Sequence, residues 1–132
     1  MNQLLPIILI ALILAAGCSR RPADARLLHA AAISDSLPDS AAAIVAAIDP
    51  ATLSGADRPF RDLLAVKAAD KTYATHTSDS LILSVLAYAE AHPSCGFLPE
   101  ARYYAGRVLS DLGDYPTALR HFQSALDVLP PS

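Results

Sequence analysis

The chain has 132 residues, a formal charge of −3 at neutral pH and a hydrophobic share of 53%. That length accommodates one domain at most, and its charges are interspersed, without the basic block that marks a nucleic-acid ligand, so no nucleic-acid partner is expected. Tryptophan is absent and alanine frequent, a balance that serves close helix–helix approach better than a bulky centre.

The first element is Leu4 to Ala16, a run of 13 apolar residues. It falls short of the ~20 that span a bilayer and matches the apolar core of a secretory signal. The Ala-Ala-Gly-Cys at 15–18 then resembles a bacterial lipobox. That resemblance implies a signal peptide over 1–17, lipid attachment at Cys18 with palmitate among its acyl chains, and a tether over 18–22. Such a lipid holds a chain at the membrane without spanning it. Ser19, where an Asp would favour the inner membrane, points to the outer membrane of a Gram-negative bacterium. The basic Ser-Arg-Arg-Pro lends no support to surface export, which leaves the periplasmic side. The alternative is an uncleaved anchor with Cys18 as an incidental thiol.

Beyond Cys18 no period-two alternation stands out; apolar residues recur at three and four, and Pro and Gly punctuate the loops. A first short helix is predicted over 23–33 and a second over 39–48, after a Pro-Asp-Ser start and before Pro50. The third carries the stripe Phe60, Leu63, Leu64, Val66 and Ala68. The fourth has Ser78 as a candidate cap and Leu81, Val85 and Tyr88 at helical spacing. His92 and Cys95 follow at a spacing metals use, but two ligands without another pair nearby and flanked by Pro93 and Gly96 read better as loop chemistry at a helix end, and no metal is predicted. With Cys18 acylated, Cys95 has no internal disulfide partner. A fifth helix is predicted over 100–112 and a sixth over 116–129, separated by Gly113. The expectation is an all-α chain of three hairpins.

The last 34 positions, 99–132, match the period of the tetratricopeptide repeat, and their residues resemble it too. Ala105 and Gly106 stand where the first helix meets its neighbour, and Leu109 one turn later. Gly113, Asp114 and Tyr115 form the turn; the second helix carries Ala118, Phe122 and Ala125, and Pro130 closes the unit. Small residues permit close crossing, Tyr115 and Phe122 fill the space between helices, and Gly113 takes a left-handed conformation. Ala41, Val45 and Ile48, and then Ser84, Tyr88 and Ala91, repeat the four-then-three spacing of Ala118, Phe122 and Ala125. The resemblance implies an α-solenoid over 23–132, its best-defined repeat being 99–132. The series is also similar to the N-terminal part of longer bacterial repeat lipoproteins and membrane-bound regulators.

No catalytic set is expected. His29, His76, His92 and His121 fall on separate elements, without a HExxH spacing, phosphate loop or nucleophile elbow. The two Ser-Asp-Ser triplets, 34–36 and 78–80, read as helix starts rather than nucleophiles, and no cofactor is predicted. The resemblance directs Tyr103, Arg107 and Ser110 toward a groove for a protein or peptide partner, where Tyr103 offers an aromatic face and Arg107 a carboxylate-binding fork. Alternatively Tyr103 packs within the stack and Arg107 is merely solvated. Leu119, Phe122, Ala125, Leu126 and Leu129 exceed what one neighbouring helix consumes. They predict an exposed terminal face, covered by a partner or by a second copy in a homo-oligomer through the C-terminal helix. The leading expectation is a non-catalytic, lipid-anchored interaction scaffold. The alternatives are a shortened relative of a longer repeat-containing membrane regulator acting by self-association, and a small-molecule or glycan-binding lipoprotein.

Overall fold

The structure, a computed structural model, describes residues 21–127. Among them are six α-helices and no strand: α1 (Ala25–Ile33), α2 (Pro38–Ala46), α3 (Asp57–Lys71), α4 (Ser80–Ala91), α5 (Leu98–Asp111) and α6 (Tyr115–Asp127). Short 3-10 turns stand at Pro50–Thr52 and Pro93–Cys95. The signal segment, the lipid site Cys18 and the terminal-face residue Leu129 lie outside the described residues. No helix among those described is long and apolar enough to cross a membrane.

The helix ends follow from local chemistry. Asp24 caps α1 by accepting from the backbone N–H of Arg26 at 2.9 Å and of Leu27 at 3.4 Å, groups the first turn leaves unpaired. Pro38 and Pro99 sit in the first turns of α2 and α5, where a missing N–H costs nothing. α5 ends at Gly113, φ +84°, with Asp114 N–H donating to Leu109 O and Gly113 N–H to Ser110 O. α3 ends in the same pair of bonds, from Ala74 to Ala69 and from Tyr73 to Asp70, with Tyr73 at φ +62°. The two helices therefore finish alike, 40 positions apart.

Each helix packs on those before and after it, and α1 also packs on α3 and α3 on α5. One apolar cluster runs from Leu27 on α1 through Val45, Leu63, Ile82 and Phe97 to Val108 on α5. All five residues of the predicted α3 stripe are buried. No residue of α6 belongs to that cluster; α6 reaches the molecule through α5, by way of the buried Ala118 and Ala125.

Four details depart from the sequence expectations. The buried face of α4 is Ile82, Val85, Leu86 and Ala89, with Tyr88 packed against the cluster, so of the three expected residues only Leu81 departs: it is exposed, and its neighbour Ile82 is buried in its stead. The first Ser-Asp-Ser triplet ends a helix instead of starting one: the Ser34 hydroxyl donates back to Ala31 O at 2.8 Å and that of Ser36 to Ile33 O at 3.4 Å. In the second triplet the Ser78 hydroxyl accepts from Ser80 N–H at 3.3 Å, although Asp79 is the residue that precedes α4. Tyr115 fills no interhelix space and is exposed, whereas Phe122 does pack against α5.

The cap of α1 carries a pH signature. The Arg26 guanidinium, bonded at 2.8 and 3.1 Å, and the two backbone donors lower the Asp24 carboxyl from 3.8 to about 2. A carboxylate whose folded pKa is depressed contributes stability above its unfolded pKa and loses it as pH falls through the folded value. The stabilisation is therefore complete above about pH 4 and fades toward about pH 2. Asp24→Asn keeps a capping oxygen but removes the titration. Thermal melts across this range are expected to show the wild type losing its advantage over the variant as acid is added; a constant difference would contradict the assignment.

Candidate interaction surface

Tyr103, Arg107 and Ser110 lie on one face of α5, one turn apart, as their spacing requires. Their environments differ. Arg107 donates to Asp70 Oδ1 of α3 from Nη2 at 2.8 Å and from Nε at 3.1 Å, and this bond holds its guanidinium pKa above the ordinary arginine value. The carboxylate that Arg107 binds is thus one of the chain's own. Asp70 is largely buried, and the imidazole Nε2 of His76 stands 3.8 Å from the same oxygen, beyond hydrogen-bonding distance. His76 N–H donates to Asp111 Oδ2 at 3.0 Å, which fastens the loop after α3 to the end of α5.

Further ion pairs extend along this side. Lys67 of α3 lies 3.1 Å from Glu100 on α5 and 3.5 Å from Asp35 in the α1–α2 turn, and Lys71 lies 3.2 Å from Asp35. Lys71, and then Lys67, hold the Asp35 carboxyl below its usual range. Lys67, Lys71 and Arg107 thus face Asp35, Asp70 and Glu100, so these charges of the α1–α2 turn, α3 and α5 satisfy one another. Removing a member exposes the cost. Arg107→Met leaves a mostly buried Asp70 carboxylate without its donor and is expected to destabilise the fold by about 1–3 kcal/mol. Chemical denaturation checks this, and no change would show that water replaces the guanidinium.

Tyr103 has a different setting. Its side chain is 45% exposed, with its ring edge-on to Tyr104 at 5.0 Å and tilted against Phe122 of α6 at 5.6 Å. Phe122 lies against Gly106: a Cβ placed there would meet the ring at 2.5–2.8 Å. The Arg102 guanidinium donates to Ser124 O at 3.1 Å and fixes the same pair of helices. Pro99, Glu100, Tyr103, Tyr104, Phe122 and Leu126 line an open, almost wholly apolar cavity of about 650 Å³. Burial, with the charges of Glu100 and Asp70 nearby, pushes the Tyr104 hydroxyl above its ordinary pKa, so it stays protonated. Leu126, on the wall of this cavity, is 68% exposed, and Leu119 elsewhere on α6 is 56% exposed; Phe122 is partly buried.

His92 and Cys95 do not converge on an open site. His92 stacks on Tyr88 with ring centroids 4.2 Å apart and places Nδ1 3.0 Å from Tyr88 O, while Cys95 is buried. Asp70, Lys67, Glu100 and Tyr104 were not singled out by sequence. The sole available signal was helical spacing: Glu100 and Tyr104 flank Tyr103 within a turn, and Lys67 stands one turn from Lys71. Comparison of the chain with protein-family models, with curated proteins and with solved structures finds no match in any of the three.

Proposed function

We propose that the chain is a non-catalytic, lipid-anchored cell-envelope protein, outer-membrane tethered through Cys18 and facing the periplasm, whose tetratricopeptide-like repeats form a protein–protein interaction scaffold. The observation that carries this reading is the row α1, α3, α5. Three successive hairpins set their first helices side by side, and α3 and α5 end in the same hydrogen-bond pattern. A row of that kind presents one extended surface instead of a closed pocket. Its polar groups are engaged in holding the row together, which supports a structural role for them.

The part of this surface left for a protein or peptide partner is Tyr103 with Ser110, because Arg107 is occupied by Asp70. Tyr103→Ala is therefore the selective probe, since Arg107 substitutions also disturb packing. Radiolabelled fatty acid is expected on the wild-type chain and not on Cys18→Ala; labelling that persists in Cys18→Ala sinks the tether.

The cavity beside Tyr103 favours a second reading, a small-molecule or glycan-binding lipoprotein. Its volume of about 650 Å³ falls within the range of ligand sites, and it gathers Tyr103, Tyr104 and Phe122 in one place. Its polar rim is thin, however, with Glu100 already paired to Lys67. Saturable heats of sugar binding by the full chain, abolished in Tyr103→Ala, would favour this reading over the scaffold.

A further inference from the structure

The apolar cavity between α5 and α6 lies beside the point where the chain enters the molecule. Glu100 lines both that cavity and a neighbouring cleft of about 270 Å³, whose walls include Arg21, Pro22 and Phe97. The Arg21 guanidinium sits over Gly96, its Nη1 3.0 Å from where a Cβ on that glycine would stand. Ala23 N–H donates to Asp57 Oδ1 at 2.7 Å and Asp24 N–H to the same oxygen at 3.1 Å, which pins the incoming chain to the start of α3. Arg21 and Pro22 are thus held next to the cavity's rim. Cys18 precedes Arg21 by three positions, at most about 11 Å of extended chain.

The lining selects the chemistry of a ligand. Tyr103, Tyr104, Phe122, Ala125 and Leu126 offer ring faces and methyl groups, and Glu100 is the one charged residue of the wall among those described. Its carboxylate is held by Lys67 at 3.1 Å, and Lys67 is itself shared with Asp35. A sugar would leave most of its hydroxyls unpaired on such a wall. A free fatty acid would bring a carboxylate that Glu100 repels and that no cation of the wall receives. An acyl chain joined through an amide or an ester carries neither penalty, and about 650 Å³ of open apolar space accommodates it.

We propose that this cavity is the seat of an acyl chain of the chain's own lipid on Cys18, held there whenever the protein stands off the bilayer. The proposal rests on the lipid-anchored reading and deepens it. So short a tether makes seating intramolecular, with an effective concentration in about the millimolar range. Each methylene taken out of water strengthens it about fourfold. A bilayer surrounds the whole acyl chain, whereas the open cavity covers one side of it, so insertion into a membrane empties the seat. Tyr103, on the cavity wall, is therefore covered off the membrane and free for a partner on it.

The test uses the full chain from cells fed a palmitic acid analogue that carries a diazirine at its far end. The purified protein is diluted below the micelle concentration of its detergent, irradiated, and the single-chain band is mapped by mass spectrometry. Crosslinks are expected on the peptides that hold Tyr103, Tyr104 and Phe122 to Leu126, and are expected to vanish in phosphatidylethanolamine–phosphatidylglycerol vesicles. Leu126→Asp is expected to reduce them at least about tenfold, with helicity unchanged because Leu126 is 68% exposed. Loss of the crosslinks to equimolar unlabelled palmitic acid would make a free fatty acid the ligand and overturn the proposal. A labelled chain whose crosslinks fall elsewhere, or are indifferent to Leu126→Asp, overturns it and leaves the tether standing. A wild-type chain that takes up no label overturns the tether and the proposal together.

Discussion

Leu63→Ala is expected to remove about 2–5 kcal/mol of stability, the range for truncating a buried leucine where the surroundings collapse only partly. Leu63 has no exposed surface and sits on α3, the helix that packs on α1, α2, α4 and α5 alike. A cavity there is walled by several helices, none of which can move inward without losing a contact elsewhere. For a domain of this size such a loss corresponds to a fall in Tm of about 10 °C or more. Urea denaturation followed by circular dichroism reads it directly. A loss below about 1 kcal/mol would mean that the space closes, and that α3 is not the rigid centre of the row.

Gly106→Ala is expected to destabilise the wild type and to stabilise a chain that already carries Phe122→Ala. In a helix interior alanine is favoured over glycine by about 1 kcal/mol. Here the new methyl would stand 2.5–2.8 Å from three carbons of the Phe122 ring, and overpacking of that kind costs about 1–3 kcal/mol. The Phe122 ring borders the open cavity beside Tyr103, so a shift of the ring relieves part of the strain and the expected net loss is small, below about 1 kcal/mol. With the ring removed, only the propensity remains, and the sign reverses to a gain of about 0.5–1 kcal/mol. A double-mutant cycle isolates the coupling. Additive effects of the two substitutions would contradict the contact on which the α5–α6 hairpin is built.

Most of the helical framework is legible in the sequence. Pro38, Pro99 and Gly113 act at helix ends through their own backbone chemistry, and the stripe from Phe60 to Ala68 announces the buried side of α3. The less legible features depend on partners distant in sequence. Arg107 has the look of a free fork on its own helix, and only the packing of α3 beside α5 supplies Asp70 as its acceptor. Lys67 and Lys71 resemble a solvated face until Asp35 and Glu100 are brought to them. On α4 Val85 is buried and Tyr88 packs on the core, and only Leu81 is misjudged, because Leu, Ile and Leu stand side by side at 81–83 and periodicity discriminates poorly within such a run. Tyr115 matches a repeat position by type, but the turn at Gly113 carries it outward. The excess apolar surface of α6 is readable, since Leu119 and Leu126 lie away from Ala118 and Ala125 on any helical projection.

The central claim, that this row of hairpins meets a protein partner through the exposed side of α5, is tested most directly by a photo-crosslinking residue at position 103 of the full chain in intact bacterial cells. A control probe at Ala43, exposed on α2, reports nonspecific adducts. The account predicts discrete protein adducts from position 103 and none of these from position 43. Absence of adducts at 103, or the same adducts from both positions, would contradict it.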